Sequence, residues 1–274
     1  MVDPAKSLSY NITIPCALDG FCFVLHDLEE NRIVDLELYQ TSDNGDENVI
    51  MESLEKLLFK KGLLGKECRS VRFIVGNRFN TLVPSEVFEE QAVESYIRFN
   101  HDLPVDTTFF HEPLTSVNAV NVYAMPSNQV RRIRKLFDKV TFVHQSSIFL
   151  NAILREPVDD PTNLFVNVNS RSFDLAIVKE GKLLFFNNFK FNTKDDFLYY
   201  LMFSLEQQKL AGADIPVYFT GLISNNSEII KLCERYIKRI RFIRPDGSVN
   251  VDMSLSGTPF HYYYIPYKSI SCES

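Results

Sequence analysis

The stretch NVNSRSFDLAIVKEGKLLFFNNFKF, residues 167–191, decides how the chain is read. Apolar residues alternate as far as Val178, the pattern breaks at Glu180-Gly181-Lys182, and alternation resumes to Phe191. Period-two alternation on both sides of a glycine-containing break is a β-hairpin. NLFVNVN (163–169) puts a further strand in front of it. TKDDFLYYLMFSLEQQKLAG (193–212) follows as a long amphipathic helix with Thr193 in the N-cap position. IPVYFTG (215–221), NNSEIIKLCERYIK (225–238) and RIRFIR (239–244) then read as strand, helix and strand.

Working outward, the same order opens the chain. SYNITIPCAL (9–18), FCFVLHD (21–27) and RIVDLELYQ (32–40) are three alternating strands, and VIMESLEKLLFKKGLL (49–64) has helical spacing. RSVRFIVG (69–76) is a strand, and a helix is expected over 84–100, opened by Pro84. AVNVYAMP (119–126), the helix SNQVRRIRKLFDKV (127–140) capped by Ser127 or Asn128, TFVHQ (141–145) and SSIFLNAILRE (146–156) complete the first half. PVDDPTN (157–163) is a linker, because its prolines and aspartates cannot continue a helix. The order β-β-β-α-β-α thus occurs twice, in halves at 1–156 and 163–274. The expected class is α/β, with two mixed-sheet halves around a cleft. The tail, 245–274, has little periodicity and reads as a returning strand or packed coil.

Bulk properties narrow the function. The 274 residues are 45% hydrophobic, enough for sizeable cores, and no apolar run spans a bilayer. The N-terminus has no secretory h-region, so a cytoplasmic location without membrane insertion is expected. Five cysteines, an odd number without CxxC spacing, suit reduced thiols rather than a disulfide framework or zinc site. A net charge of −6 argues against general nucleic-acid binding. Two basic runs, 131–135 and 235–244, are solvated helix faces or an anionic-partner surface. His101-Asp102, His111-Glu112 and His144 fit no ligand spacing, and no metal site is expected.

The duplicated meander resembles the actin-like ATPase superfamily, whose halves each begin with a hairpin that cradles nucleotide phosphates. The family's second hairpin reads D-x-G-G-G-T-x-D. Here the same register holds Asn167-Val168-Asn169-Ser170-Arg171-Ser172-Phe173-Asp174, with Ser172 for the threonine and Asp174 matching outright. The family's adenosine-side Gly-Gly is represented by Gly221 alone, followed by Leu222. In the first hairpin Asp19 and Gly20 are adjacent, without the D-x-G spacing. The middle section resembles the pilus-assembly and secretion branch. The whole chain resembles an uncharacterised Bacteroidetes-type family with the actin-like (RNase H-like) fold, in its CALDGFCF opening and its Cys272-Glu273 ending.

The resemblance implies a nucleotide site at Asp19, Gly20, Asn167, Asn169, Ser170, Arg171, Ser172 and Gly221, and the departures from the pattern put its chemistry in question. Hydrolysis on this fold needs carboxylates beside the phosphates and their magnesium. Asn167 supplies neither charge nor a base. Ser170 and Arg171 put side chains where glycine N–H groups would approach phosphate. Arg171 either fills the cleft or binds an anion by charge-assisted hydrogen bonds. Asp19 is the one well-placed carboxylate of the first hairpin, and equally an ordinary turn aspartate. The expectation is a non-catalytic interaction or scaffold protein with a degenerate nucleotide site, no cofactor and an unidentified protein partner. The alternatives are an ATP/Mg-binding switch or weak ATPase, and, further off, a small-molecule kinase.

Overall fold

The computed structural model describes residues 4–17, 20–40, 47–244, 246–252, 255 and 259–271. By its internal contacts the chain divides into two compact units. Unit 1 takes Met1–Ile148, Gly247–Gly257 and Pro266–Ser274, and unit 2 takes Phe149–Asp246 and Thr258–Ile265.

Unit 1 opens with β1 (Tyr10–Ala17), β2 (Gly20–Asp27) and β3 (Arg32–Gln40), then α1 (Glu47–Lys60) and β4 (Ser70–Gly76). β5 (Asn80–Pro84), α2 (Val93–Asn100), β6 (Thr107–Leu114) and β7 (Ala119–Pro126) follow. α3 (Ser127–Leu136), β8 (Val140–His144) and α4 (Gln145–Ile153) complete this part, and the chain passes into unit 2 within α4. Unit 2 contains β9 (Thr162–Val168), β10 (Ser172–Lys179), β11 (Lys182–Lys190), α5 (Lys194–Gln207), β12 (Val217–Gly221), α6 (Glu228–Cys233) and β13 (Ile240–Phe242). β14 (Asn250–Val251) and α7 (Tyr264–Ser271) lie in the tail.

The internal duplication is explicit in the sheet topology. One sheet runs β14-β3-β2-β1-β4-β8 and another β11-β10-β9-β12-β13. In each, an antiparallel three-strand meander is extended by two parallel strands beside its first strand. The second hairpin of each meander carries a bulge at the matching place, at Leu25/His26 and at Ile177/Val178. A bulge bends the strand and strengthens its twist, so both sheets curve by the same device.

The central strands are buried along their length, which is why they read as apolar runs. β2 is buried at every position, and β10 from Phe173 to Val178. In unit 1 Ile12, Ile14, Phe23, Leu25 and Phe73 pack under Leu54 and Leu58 of α1. In unit 2 Phe173, Phe197 and Phe219 form a chain of ring contacts with centroids 4.3 and 6.3 Å apart, under α5. The start of α5 follows from its sequence. Thr193 Oγ1 accepts from the Asp196 N–H at 3.1 Å, and Asp196 accepts in return from the Thr193 N–H at 3.0 Å. This capping box satisfies two otherwise orphaned donors.

Three local expectations are corrected. Pro84 ends β5 rather than opening a helix, and α2 is confined to Val93–Asn100, because Ser85–Val87 and Glu90–Ala92 form separate single turns. β5, β7 and β6 form a three-stranded antiparallel sheet over α2, with Val83, Ile97, Val122 and Ala124 as its core. Neither Ser127 nor Asn128 caps α3; Pro126 occupies the N-cap position without a side-chain bond. The tail forms a helix, α7, whose Pro266 falls in the first turn, where a missing N–H costs nothing. The returning strand is also there, as β14 pairing parallel with β3. Among the described residues no helix is long and apolar enough to cross a membrane.

Candidate functional site

In unit 2 the strands bring one buried carboxylate between two amides. Register pairs Asp174 on β10 with Asn167 on β9 and with Asn188 on β11. Asn167 Nδ2 donates to Asp174 Oδ2 at 3.1 Å, and Asn188 Nδ2 donates to Asp174 Oδ1 at 2.9 Å. Asn167 and Asp174 are each only 1% exposed. A buried carboxylate is tolerated when its oxygens are hydrogen-bonded. The polar row thus spans three strands, and both oxygens of its only acid are engaged inside it.

The turn joining β9 to β10 closes on itself. The Asn169 N–H donates to the Ser172 carbonyl at 2.8 Å, and Asn169 Nδ2 reaches Ser172 Oγ at 3.4 Å. The Arg171 carbonyl accepts from the Phe191 N–H at 3.1 Å. None of Asn169, Ser170, Arg171 and Ser172 has positive φ. The turn is therefore made from ordinary backbone and has no need of the glycines that a close phosphate approach demands. Ser170 and Arg171 are exposed at its tip.

β12 brings Gly221 against the base of this turn, since Thr220 pairs with Asn167 and Gly221 with Val168. Gly221 has φ 84°, and a Cβ there would sit 2.1 Å from the Val168 carbonyl oxygen and 2.9 Å from Asn167 Oδ1. The Leu222 N–H donates to the Val168 carbonyl at 2.6 Å. Buried Thr220 donates through Oγ1 to the His261 carbonyl at 2.8 Å. Beyond Gly221, Ser224, Asn225 and Asn226 line a groove of about 1070 Å³ in unit 2, with Arg241, Arg244 and His261.

Of the expected residues, the fold gathers Asn167, Asn169, Ser172 and Gly221 around one hairpin base and leaves Ser170 and Arg171 at its tip. Gly20 belongs to unit 1, at the start of β2, where a Cβ would meet the Tyr39 carbonyl oxygen at 2.0 Å. Asp19 lies outside the described residues. Asn188, Thr220 and His261 escaped the sequence reading. Asn188 left one signal, a polar residue at an otherwise apolar position of β11. Among the described residues no group of three or more His, Cys, Asp or Glu side chains is arranged to hold a metal.

Unit 1 has a second buried polar group. Glu112 Oε1 accepts from the Ser147 hydroxyl at 2.5 Å and from the His144 backbone N–H at 2.9 Å. Burial pushes the Glu112 carboxyl up to about 7, against the pull of these donors and of the nearby Arg72 charge. Burial drives the His144 imidazole down to about 3, despite its bond to the Asn77 carbonyl. His144 packs against Tyr123 with ring centroids 5.2 Å apart and the rings tilted by 44°, so it stays a neutral core histidine. Arg72 is itself held by the carbonyl and hydroxyl of Ser269.

The pair acts on stability with opposite signs. Glu112, raised in the fold, contributes most below its unfolded value of 4.5 and loses that contribution as pH rises to about 7. His144, lowered in the fold, contributes above 6.5 and loses as pH falls to about 3. The two oppose each other between about pH 4.5 and 6.5. Glu112→Gln is expected to leave the histidine slope alone, so that stability climbs with pH across that window. Urea midpoints at three pH values measure this; a variant as flat as wild type contradicts it.

Three side chains of the basic runs are paired with acids. Arg131 pairs with Asp106 at 3.0 Å and Arg132 with Glu55 at 2.9 Å, while Arg134 lies over the Phe142 ring at 5.7 Å. Arg239 makes two bonds to Asp160, at 2.7 and 2.6 Å. These contacts favour the solvated-face reading.

Comparison with known proteins follows the topology. A protein family described only as of unknown function, DUF3822, matches residues 1–240. No curated protein matches the sequence. A solved protein from Bacteroides thetaiotaomicron, described as having an actin-like ATPase fold and unknown function, superposes with a TM-score of 0.77 at 19% identity. The match covers 89% of this chain and 94% of that one. A chain of the PilM–PilN type IV pilus biogenesis complex gives a TM-score of 0.63 at 14% identity, over 97% of each chain. The ethanolamine utilization protein EutJ of Carboxydothermus hydrogenoformans gives 0.50 at 11% identity, over 94% of this chain and 88% of that one. The fold is that of the actin-like ATPases.

Proposed function

We propose, for a chain that belongs to the DUF3822 family, a non-catalytic protein-interaction role on an actin-like ATPase fold whose phosphate turn has degenerated. One observation carries this reading: the sole acid at the turn, Asp174, has both oxygens engaged by Asn167 and Asn188. Phosphoryl transfer on magnesium needs carboxylates turned toward the metal's hydration shell or the attacking water. Asn167 stands where the family pattern has such a carboxylate, and its amide is spent on Asp174. The self-closed turn supports the same reading, because the Asn169 N–H is already donated to Ser172.

The similar PilM chain was solved with a partner protein, PilN. By analogy the ligand of this chain is a protein. The scaffold would then present a surface to that partner. The role needs no nucleotide.

Phosphate release from ATP is the direct assay. It should stay at the no-enzyme baseline with and without magnesium. Arg171→Gly should leave fold and baseline unchanged, since Arg171 is exposed at the tip. Magnesium-dependent release that Arg171→Gly abolishes would establish the ATPase alternative instead.

A further inference from the structure

The five-stranded sheet of unit 2 ends in an open strand. β11 is terminal in its sheet, nine residues long, and pairs only with β10 among the described residues. The Phe191 N–H bonds inward to Arg171, and the register pairs Phe189, Asn187 and Phe185 with β10 residues two apart. Antiparallel alternation then directs the backbone groups of Phe186, Asn188 and Lys190 outward. The Asn188 N–H is occupied only by the neighbouring Asn187 side chain, at 2.9 Å.

An aromatic platform adjoins this edge. Phe189 of β11 stacks on Tyr200 of α5 at 5.0 Å, Tyr200 meets Tyr199 at 5.3 Å, and Tyr199 stacks on Phe203 at 5.8 Å. Tyr199 is 61% exposed, Phe203 41%, and Leu184, at the bulge of β11, 46%. Two aromatic rings one helical turn apart, stacked together and left in solvent, are the type of anchor that interfaces bury.

We infer that β11 takes an extended segment of a partner protein by strand addition, its apolar centre flanked by acidic residues. The flanking charge follows from Lys182 and Lys190, which are exposed at the two ends of the strand and have no ion-pair partner among the described residues. A second copy of this chain fits poorly. Full antiparallel overlap about Phe186 would set Lys182 of each copy against Lys190 of the other, and like charges directly opposite destabilise a ladder. An acid-ended strand reverses both signs. Backbone pairing then supplies affinity and the end charges supply register.

The inference rests on the interaction reading and names its surface. Failure of strand binding sinks the surface alone, whereas magnesium-dependent nucleotide binding sinks the reading. The probe is a synthetic peptide, Asp-Val-Thr-Val-Thr-Val-Thr-Val-Asp, beside the same peptide with lysine ends, titrated into the full chain. The acid-ended peptide should bind and should slow amide exchange at Phe186, Asn188 and Lys190. The Lys182→Glu/Lys190→Glu double variant should lose at least about tenfold in affinity for it and gain for the lysine-ended one. Tyr199→Ala should weaken both by a few fold. All three positions are exposed, so the variants should fold. No binding at millimolar peptide would mean that the lysines only guard the edge, and the inference fails. Protection outside β11, or protection that rises with protein concentration alone, would overturn it equally; the latter would mark self-association.

Discussion

Gly221→Ala should destabilise unit 2 by about 3–5 kcal/mol. Two costs add. The residue holds φ 84°, a left-handed conformation that alanine adopts with strain. The new Cβ would also sit 2.1 Å from the Val168 carbonyl oxygen and 2.8 Å from its nitrogen, both backbone atoms of a central strand. A flexible side chain can swing away, but a paired strand cannot. Separating Gly221 from Val168 would also strain the Leu222 N–H bond to the same carbonyl. Amide exchange across β9 and β12, with urea unfolding followed by circular dichroism, would measure the loss. A variant within about 1 kcal/mol of wild type would contradict the close approach. The glycine is thus explained by packing, with no nucleotide required.

Asn167→Asp should be the most informative change at the turn. It restores the carboxylate of the family pattern and sets it against Asp174, where an amide now donates at 3.1 Å. Two buried carboxylates cannot both ionise, so the pair takes up a proton in the fold at a pH above the ordinary carboxylate range. Raised acids favour the fold below their unfolded values, and the benefit is lost as pH rises. The variant should therefore be close to wild type near about pH 4 and weaker by about 3 kcal/mol at about pH 7. Magnesium and ATP should give no rescue. Rescue by magnesium with ATP, and by neither alone, would mean that the site still works.

The duplicated topology was legible in the sequence because it depends on period and order, which local patterns report. Three alternating strands, a helix and a parallel strand appear twice in the text of the chain and twice in its sheets. Thr193 was legible for the same reason, since its capping box needs only Asp196 three residues on. The three-stranded sheet was not. β6 contains His111, Glu112 and Pro113, which break the alternation, and Glu112 is half-buried only because Ser147 and His144, far along the chain, bond to it. α7 was hidden by Pro266, which local rules count against a helix except in its first turn.

The turn itself was half legible. Register placed Asn167 and Asp174 at matching positions of the family pattern, but which groups engage Asp174 depends on Asn188, a residue of the third strand. Asparagine at 169 would tolerate a left-handed backbone, but the turn uses ordinary backbone throughout. That difference matters physically. A turn with no positive φ has no call for glycine, so Ser170 and Arg171 carry side chains there without strain.

Calorimetric titration of the full chain with ATP and a slowly hydrolysed analogue, each with and without magnesium, tests the central claim most directly. The account predicts no heat of binding and no thermal shift at millimolar nucleotide. Saturable binding that requires magnesium and is lost in Asn169→Ala and Arg171→Gly would contradict it, and would make the chain a nucleotide-binding protein.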